Sequence, residues 1–182
     1  IVHQYQAKDE LKPEKLPQAD AVITEVNDLW VGVQTADCIP LLIASTTKPL
    51  VAAVHAGWRG VLDGVIVATV ENFEKKGVRA RDLVVAMGPS IGPCCFEIGP
   101  ELITQFEAKW GWSWAGASRK PYEKGRQNYV KAESLQSART TIAPSKPQPP
   151  HTDLWMDLKK IANYQLLNTG VLEPNIDNIS LC

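Results

Sequence analysis

Four short apolar segments, each bounded by turn residues, occupy residues 19–55 and constrain the fold more than any other feature. Short segments rich in Val, Ile and Leu are typical of β-strands. Asn27-Asp28 predicts a tight hairpin between the first two segments, and residues 46–49 predict a second between the last two. Because the apolar runs are continuous, we expect strands that are covered on both faces. The predicted strands span residues 19–24, 29–34, 39–44 and 50–55.

The spacing of apolar residues changes to that of a helix after Gly60. Apolar side chains recur at helical intervals from Val61 to Phe73, and Lys75-Lys76-Gly77 supplies a basic last turn and a helix-ending glycine. Alternation of strands with helices indicates an α/β fold with a mixed β-sheet core and flanking helices. The remaining predicted elements are a buried strand at residues 83–87, helices at 101–109 and 157–168, and a last strand at 176–181.

The bulk properties indicate a single globular domain over residues 1–182, with the oligomeric state open between monomer and weak dimer. A net charge of −1 gives no indication of a nucleic-acid partner, and no apolar run is long enough for a membrane span. Four cysteines without framework spacing favour the cytoplasm. Residues 111–150 are expected to form a partly mobile loop. Because the chain begins without methionine and stops directly after an apolar run, we expect missing segments at both ends.

His3, Cys38 and His55 are the main candidates for a metal site. The chain has only three histidines and four cysteines, so ligands for a soft or borderline metal are scarce. Cys38 and His55 stand at the edges of apolar segments, where a polar reactive side chain is unusual. Two imidazoles and one thiolate would make a three-ligand zinc site with an open fourth position, as in catalytic zinc sites.

The residue pattern leaves other interpretations of these side chains open. A cysteine such as Cys38 is often a small buried hydrophobe, and His55 has an ordinary role as a hydrogen-bonded histidine at a strand end. Cys94 and Cys95 are rival thiolates, because they follow a Gly-Pro-rich loop of the kind that approaches active sites. His151 lies in a polar segment after two prolines and is expected to be solvated.

An anion pocket is predicted directly after His55. Gly57 and Gly60 allow the chain to turn from a strand into a helix, whose first N–H groups attract anions. Arg59 adds a planar cation suited to phosphate or carboxylate. The alternative is that Trp58 and Arg59 only cap and pack the start of the helix.

Long motifs in this chain resemble those of the laccase-domain family, whose members have been called multicopper polyphenol oxidase, peptidoglycan-editing factor and purine nucleoside phosphorylase. Val2-His3 resembles the end of the family's Gln-Val-His motif, with Ile1 in place of the glutamine. Residues 19–21 match its Ala-Asp-Ala, and residues 163–171 resemble its C-terminal helix. The most specific motifs are TADC at 35–38, VAAVHAGWRG at 51–60, GPSIGP at 88–93 and FEIG at 96–99.

The resemblance implies that the metal ligands are His3, Cys38 and His55, and that Cys94 and Cys95 are bystanders. It also implies segments before and after this chain that help to close the pocket. The implied activity is phosphorolysis of adenosine, inosine and methylthioadenosine. Arg59, Gly57 and Gly60 of the predicted anion pocket are our candidates for binding the phosphate. Adenosine deamination is an implied side activity. We expect Asp37 to support the thiolate or to act as an acid or base, with the capping of a turn as the alternative. Trp58 is expected to stack on the purine or only to fill the core.

Zinc is expected rather than copper, because a multicopper oxidase needs roughly ten histidines for its copper centres. A single copper centre with an axial Met87 or Met156 remains an alternative, as do a polyphenol oxidase and a hydrolase that edits peptidoglycan precursors. The expected partners are a small-molecule nucleoside and phosphate, without nucleic acid or membrane. A zinc-stabilised binding module is the non-enzymatic alternative.

Overall fold

A six-stranded mixed sheet forms the centre of the protein, as seen in a computed structural model. The model describes residues 2–5, 18–111, 117–118, 154–179 and 181–182, with the backbone alone for 3–5 and 117–118. The strand order is β1-β2-β4-β3-β5-β8; the two edge pairs are parallel and the inner pairs antiparallel. The strands are β1 Val2–Tyr5, β2 Ala21–Thr24, β3 Ile39–Ser45, β4 Val51–Ala56, β5 Leu83–Met87, the short pair β6 Ala117–Ser118 and β7 Trp155–Met156, and β8 Ile176–Asn178.

Four α-helices in the described part of the chain flank this sheet, which confirms the predicted α/β fold. They are α1 Trp58–Asp63, α2 Val65–Lys75, α3 Pro100–Trp110 and α4 Leu158–Asn168. The continuous helix expected from Val61 to Phe73 is wrong in one respect, because Gly64 adopts a left-handed conformation with φ of 85° and separates α1 from α2. Glycine reaches that conformation without the steric cost of a Cβ atom. Gly77, at φ of 75°, follows α2 as predicted.

The core lies between the sheet and the helices. Ile23 and Val54 of the sheet and Ile66 and Phe73 of α2 are fully buried. The buried amide of Gln165 in α4 donates from Nε2 to the carbonyl oxygen of Val61, at 2.7 Å. This bond holds α4 against α1, the helix that begins directly after His55 and Gly57.

The other face of the sheet is partly exposed, so the prediction of strands covered on both faces is wrong. Leu42 is 61% exposed, and Val51 and Val84 are 40% and 39% exposed. These side chains line a cavity of about 760 Å³ together with Trp30. The sequence pattern misled here because the strands carry apolar residues on both faces, whereas the described helices bury only one.

The segment at residues 29–34 is not the predicted strand. Residues 27 and 28 form a turn, with Asp28 at φ of 61°, but the chain then continues without strand pairing, and Trp30 is 95% exposed. The expected hairpin at Asn27-Asp28 is therefore also wrong. The hairpin at residues 46–49 is confirmed, with Ser45 N–H donating to Leu50 O at 2.9 Å.

The last strand, β8, ends at Asn178, earlier than the predicted residue 181.

The prediction of a mobile loop at 111–150 falls outside the described residues, apart from Gly111 and the backbone of 117–118. In the described part of the chain, no helix combines the length and apolar character needed to cross a bilayer.

Candidate active site

Strand pairing brings Cys38 and His55 to the same end of the sheet. His55 lies on β4 opposite Pro40 of β3, and Ala56 lies opposite Ile39. The next step along this antiparallel register places Cys38 opposite Gly57. Two residues that are distant in sequence therefore become neighbours because β3 and β4 form a hairpin.

Gly57 leaves room between the two side chains. A Cβ atom built on Gly57 would lie 3.0 Å from Cys38 Sγ and 3.6 Å from His55 Nε2. The sulfur and the ring nitrogen therefore border the same small space, which the missing side chain keeps open. A thiolate and an imidazole are ligands that zinc prefers, so the donor chemistry fits a zinc ion.

Asp20 lies behind the imidazole ring of His55. Its Oδ1 atom is 3.5 Å from His55 Nδ1, and its backbone oxygen accepts a hydrogen bond from His55 N–H at 2.7 Å. A carboxylate at one ring nitrogen orients the other nitrogen toward a metal in many metalloproteins. Asp20 was not predicted to be a functional residue, because its only signal in the sequence is the Ala-Asp-Ala match at 19–21.

The environment of Cys38 favours the protonated thiol. Partial burial raises the pKa of Cys38 above its usual value, and the negative charge of the adjacent Asp37 raises it further. Asp37 is exposed, and its backbone oxygen accepts a hydrogen bond from Ile91 N–H at 2.8 Å. A bound cation would favour the thiolate, so metal uptake at neutral pH would release a proton.

Arg59 and Trp58 border the same cavity as Cys38 and His55. The cavity has a volume of about 560 Å³ and is also lined by Asp20 and Gly57. The Arg59 guanidinium is exposed and lies over the Trp58 ring, with 4.2 Å between its central carbon and the ring centroid. This cation–π contact restricts the orientation of the exposed guanidinium group.

Gly60 allows close packing at the start of α1. A Cβ atom at this position would lie 3.3 Å from Val65 Cγ1 and 3.6 Å from the carbonyl oxygen of His55. Helix α1 has six residues, so its dipole contributes less to anion binding than the dipole of a longer helix would.

The side chains of His3 and His151 fall outside what the structure describes. The backbone of His3 lies on β1 and pairs with Val22 of β2, and Val22 pairs with Ala53 of β4. Met87 and Met156, the axial ligands of the copper alternative, are buried core residues.

Cys94, Cys95 and Cys182 form a separate group. Their sulfur atoms all lie within 4.8 Å of one another. The pKa of Cys95 is raised to about 12. Partial burial is the largest cause, and the hydrogen bonds to Cys94 and Cys182 and the charges of those two thiols add to it. Cys38 lines the cavity that His55 and Arg59 also line, whereas the described lining includes none of these three thiols.

Comparison with known proteins shows several likenesses. The family model described as multi-copper polyphenol oxidoreductase laccase matches residues 1–139. A protein of Bacteroides thetaiotaomicron named purine nucleoside phosphorylase is 33% identical over 97% of this chain and 55% of its own length. A protein of an unknown prokaryotic organism, named adenosine deaminase RL5, is 38% identical over 50% of this chain and 35% of its own length.

The fold is also similar to that of a solved structure, the hypothetical protein YfiH of Bacillus licheniformis. The TM-score is 0.70 with 21% identity, over 100% of this chain and 60% of that protein. The chain thus spans between about a third and three fifths of the length of these relatives.

Proposed function

Because this chain belongs to the multi-copper polyphenol oxidoreductase laccase family, we propose that it is a zinc-dependent purine nucleoside phosphorylase acting on adenosine, inosine and methylthioadenosine. One observation carries the proposal. Cys38 Sγ and His55 Nε2 border one space, and that space opens into a cavity that Arg59 also lines. A cavity of about 560 Å³ is of the size that binds small molecules. The name of the relative from Bacteroides thetaiotaomicron supports the same reaction.

In this proposal, Cys38 and His55 hold the zinc ion together with His3. When bound, the ion would act as a Lewis acid and lower the pKa of a coordinated water toward about 7. Asp20 accepts the Nδ1–H of His55, so that Nε2 carries the lone pair used for coordination. The parallel pairing of β1 with β2 supports His3 as the third ligand, since it brings the His3 backbone within two strands of β4.

Arg59 is the proposed phosphate-binding residue. A guanidinium group donates two parallel hydrogen bonds to a phosphate, and the contact with Trp58 restricts its orientation. The same contact changes the role expected of Trp58. Its ring lies against Arg59 and also packs against the hydrophobic core, so we assign it to positioning Arg59 rather than to stacking on the purine.

Phosphorolysis transfers the ribose from the purine to phosphate. A phosphate oxygen attacks C1′ of the ribose, the bond between C1′ and the purine nitrogen breaks, and the base leaves with one proton. Asp37 is the proposed acid or base for that proton, because it is exposed, directly precedes the cavity residue Cys38 in the chain and acts on that thiol through its charge. The products are ribose 1-phosphate and the free base.

The direct test is to incubate the chain with zinc, inosine and phosphate and to measure hypoxanthine and ribose 1-phosphate. His55→Ala should reduce the rate at least about a hundredfold, because loss of a ligand costs at least as much as loss of a residue that orients one. His151→Ala is the matched control and should keep the rate of the parent chain. Absence of phosphorolysis, or an unchanged rate in His55→Ala, contradicts the proposal.

Adenosine deamination is a second candidate activity, favoured by the likeness to adenosine deaminase RL5. Here water replaces the amino group at C6 of adenosine, and inosine and ammonia are released. The test is inosine production from adenosine in the absence of phosphate. Oxygen uptake with a phenol substrate would instead support the copper oxidase in the family's description.

A cytoplasmic location is part of the same proposal. All four cysteines are thiols in the structure, which supports a cytoplasmic location because disulfides are rare there. A nucleoside and phosphate are the proposed partners.

A further inference from the structure

Three cysteines outside the proposed reaction come together where two parallel strands end. Cys94 and Cys95 follow β5 in the Gly-Pro-rich loop, and Cys182 follows β8, which pairs in parallel with β5. The carboxyl ends of both strands therefore lie at the same edge of the sheet. The three sulfur atoms are within 4.8 Å of one another, and those of Cys94 and Cys95 are 3.5 Å apart.

Backbone hydrogen bonds hold the two arms of this cluster together. Ser90 N–H donates to Leu181 O at 3.2 Å, and Gly92 N–H donates to Cys182 Sγ at 3.1 Å. Within the loop, the N–H groups of Cys95 and Phe96 both donate to Gly92 O at 3.0 Å. The thiols are thus positioned by main-chain contacts that do not depend on a bound ion.

We propose that Cys94, Cys95 and Cys182 form a second metal site, which binds one Cu⁺ ion through three thiolates. A metal ion about 2.3 Å from three sulfurs in one plane requires sulfur–sulfur separations of about 4 Å. The observed separations, from 3.5 Å to at most 4.8 Å, enclose that value. Small side-chain rotations that bring the sulfur atoms to about 4 Å from one another would complete the site.

The choice of Cu⁺ follows from the donor set. Thiolates are soft ligands and select Cu⁺ or zinc over hard cations. Zinc in such sites takes four ligands, whereas the cluster offers three among the described side chains. Three-coordinate binding by sulfur alone suits Cu⁺.

Lys159 balances part of the charge of the proposed site. Three thiolates with one Cu⁺ carry a net charge of −2. Lys159 of α4 lies close enough to Cys182 for the two charges to interact, and its ammonium group donates to the carbonyl oxygen of Ile179 in the same terminal segment. A cation fixed beside the cluster lowers the cost of assembling three negative sulfurs.

The test is an anaerobic Cu⁺ titration of the Cys38→Ala chain against a Cu⁺-specific chelator, which removes the first site from the measurement. We expect one Cu⁺ per chain and an X-ray absorption spectrum with sulfur alone around copper. Adding Cys182→Ser should abolish this binding. Cys94→Ser in the same background is a second variant, and a circular dichroism spectrum like that of the parent shows that each variant is folded.

Three results would overturn the proposal. They are unchanged Cu⁺ affinity in both serine variants, nitrogen or oxygen ligands in the absorption spectrum, and occupation of the cluster by Zn²⁺ when both ions compete. Samples are kept reduced throughout, since thiols this close are able to oxidise to a disulfide.

Discussion

The Nδ1 atom of His55 lies 3.5 Å from Oδ1 of Asp20, while Nε2 of the same ring borders the space beside Gly57 and Cys38 Sγ. One ring thus faces a carboxylate on one side and a thiol on the other. The backbone hydrogen bond from His55 N–H to Asp20 O fixes this relationship, because it continues the pairing of β2 with β4. Sheet register therefore determines the orientation of a proposed metal ligand.

Replacing Asp20 with asparagine should weaken metal binding without loss of the fold. The amide is similar in size but lacks the negative charge that favours the required ring tautomer, so zinc affinity should fall about 10- to 100-fold. A chelator competition assay measures this change. Glu74→Gln on the exposed side of α2 is the control and should bind zinc like the parent. Equal zinc affinity in Asp20→Asn and the parent would show that Asp20 does not position the His55 ring.

Gly57→Ala should fill the space that the metal requires. The added carbon would lie 3.0 Å from Cys38 Sγ, yet the Gly57 backbone, with φ of −74° and ψ of 166°, is open to alanine. We therefore expect zinc affinity and phosphorolysis to fall at least about tenfold, with the free energy of unfolding changed by no more than about 1 kcal/mol.

Gly32→Ala is the matched control for this substitution, because a Cβ atom built there meets nothing within 4 Å. It should leave both zinc affinity and turnover as they are. Full zinc binding by Gly57→Ala would show that the metal does not lie between Cys38 and His55.

Asp37→Asn should make the metal-free thiol of Cys38 more reactive. Burial is the main cause of its raised pKa and Asp37 the second, so removing the charge should lower that pKa part of the way toward its usual value. At any pH below this pKa, more thiolate is then present. Alkylation of Cys38, followed by peptide mass spectrometry, should therefore be faster in Asp37→Asn than in the parent chain. Asp28→Asn, at an exposed turn, is the control, and unchanged or slower alkylation in Asp37→Asn would refute the assignment.

Arg59→Lys should raise the KM for phosphate more than the KM for the nucleoside. Lysine keeps the charge but loses the planar fork and its contact with Trp58, so the loss at this bidentate site should be about tenfold or more. Arg81→Lys, an exposed residue outside the cavity lining, should behave like the parent. Equal changes in both KM values would point to a general structural effect.

Most elements of the fold could be predicted from local pattern. The strands at β3, β4 and β5 and the helices α3 and α4 follow their apolar spacing and their turn residues closely. The segment at 29–34 has the same composition but forms no strand. Both edges of β2 are occupied, by β1 and β4, so no place next to it remains. Whether a strand has a free edge depends on the order of all strands in the sheet, and a short stretch of sequence does not contain that information.

The candidate site was predictable only in part for the same reason. Cys38 and His55 are each marked by a specific motif, and their approach follows from one hairpin. Asp20 joins them through pairing with a different strand, and an aspartate before a strand is ordinarily a turn residue. The cluster of Cys94, Cys95 and Cys182 depends on the parallel pair β5 and β8, which no spacing of cysteines reveals.

The central claim is that one metal ion binds between Cys38 and His55. Zinc-edge X-ray absorption of the Cys182→Ser chain, in which the second cluster is broken, tests it most directly. We predict one zinc per chain with one sulfur and two imidazole nitrogens in the coordination shell. The account would be contradicted if the chain bound no zinc, or if the coordination shell lacked either the sulfur or the imidazole ligands.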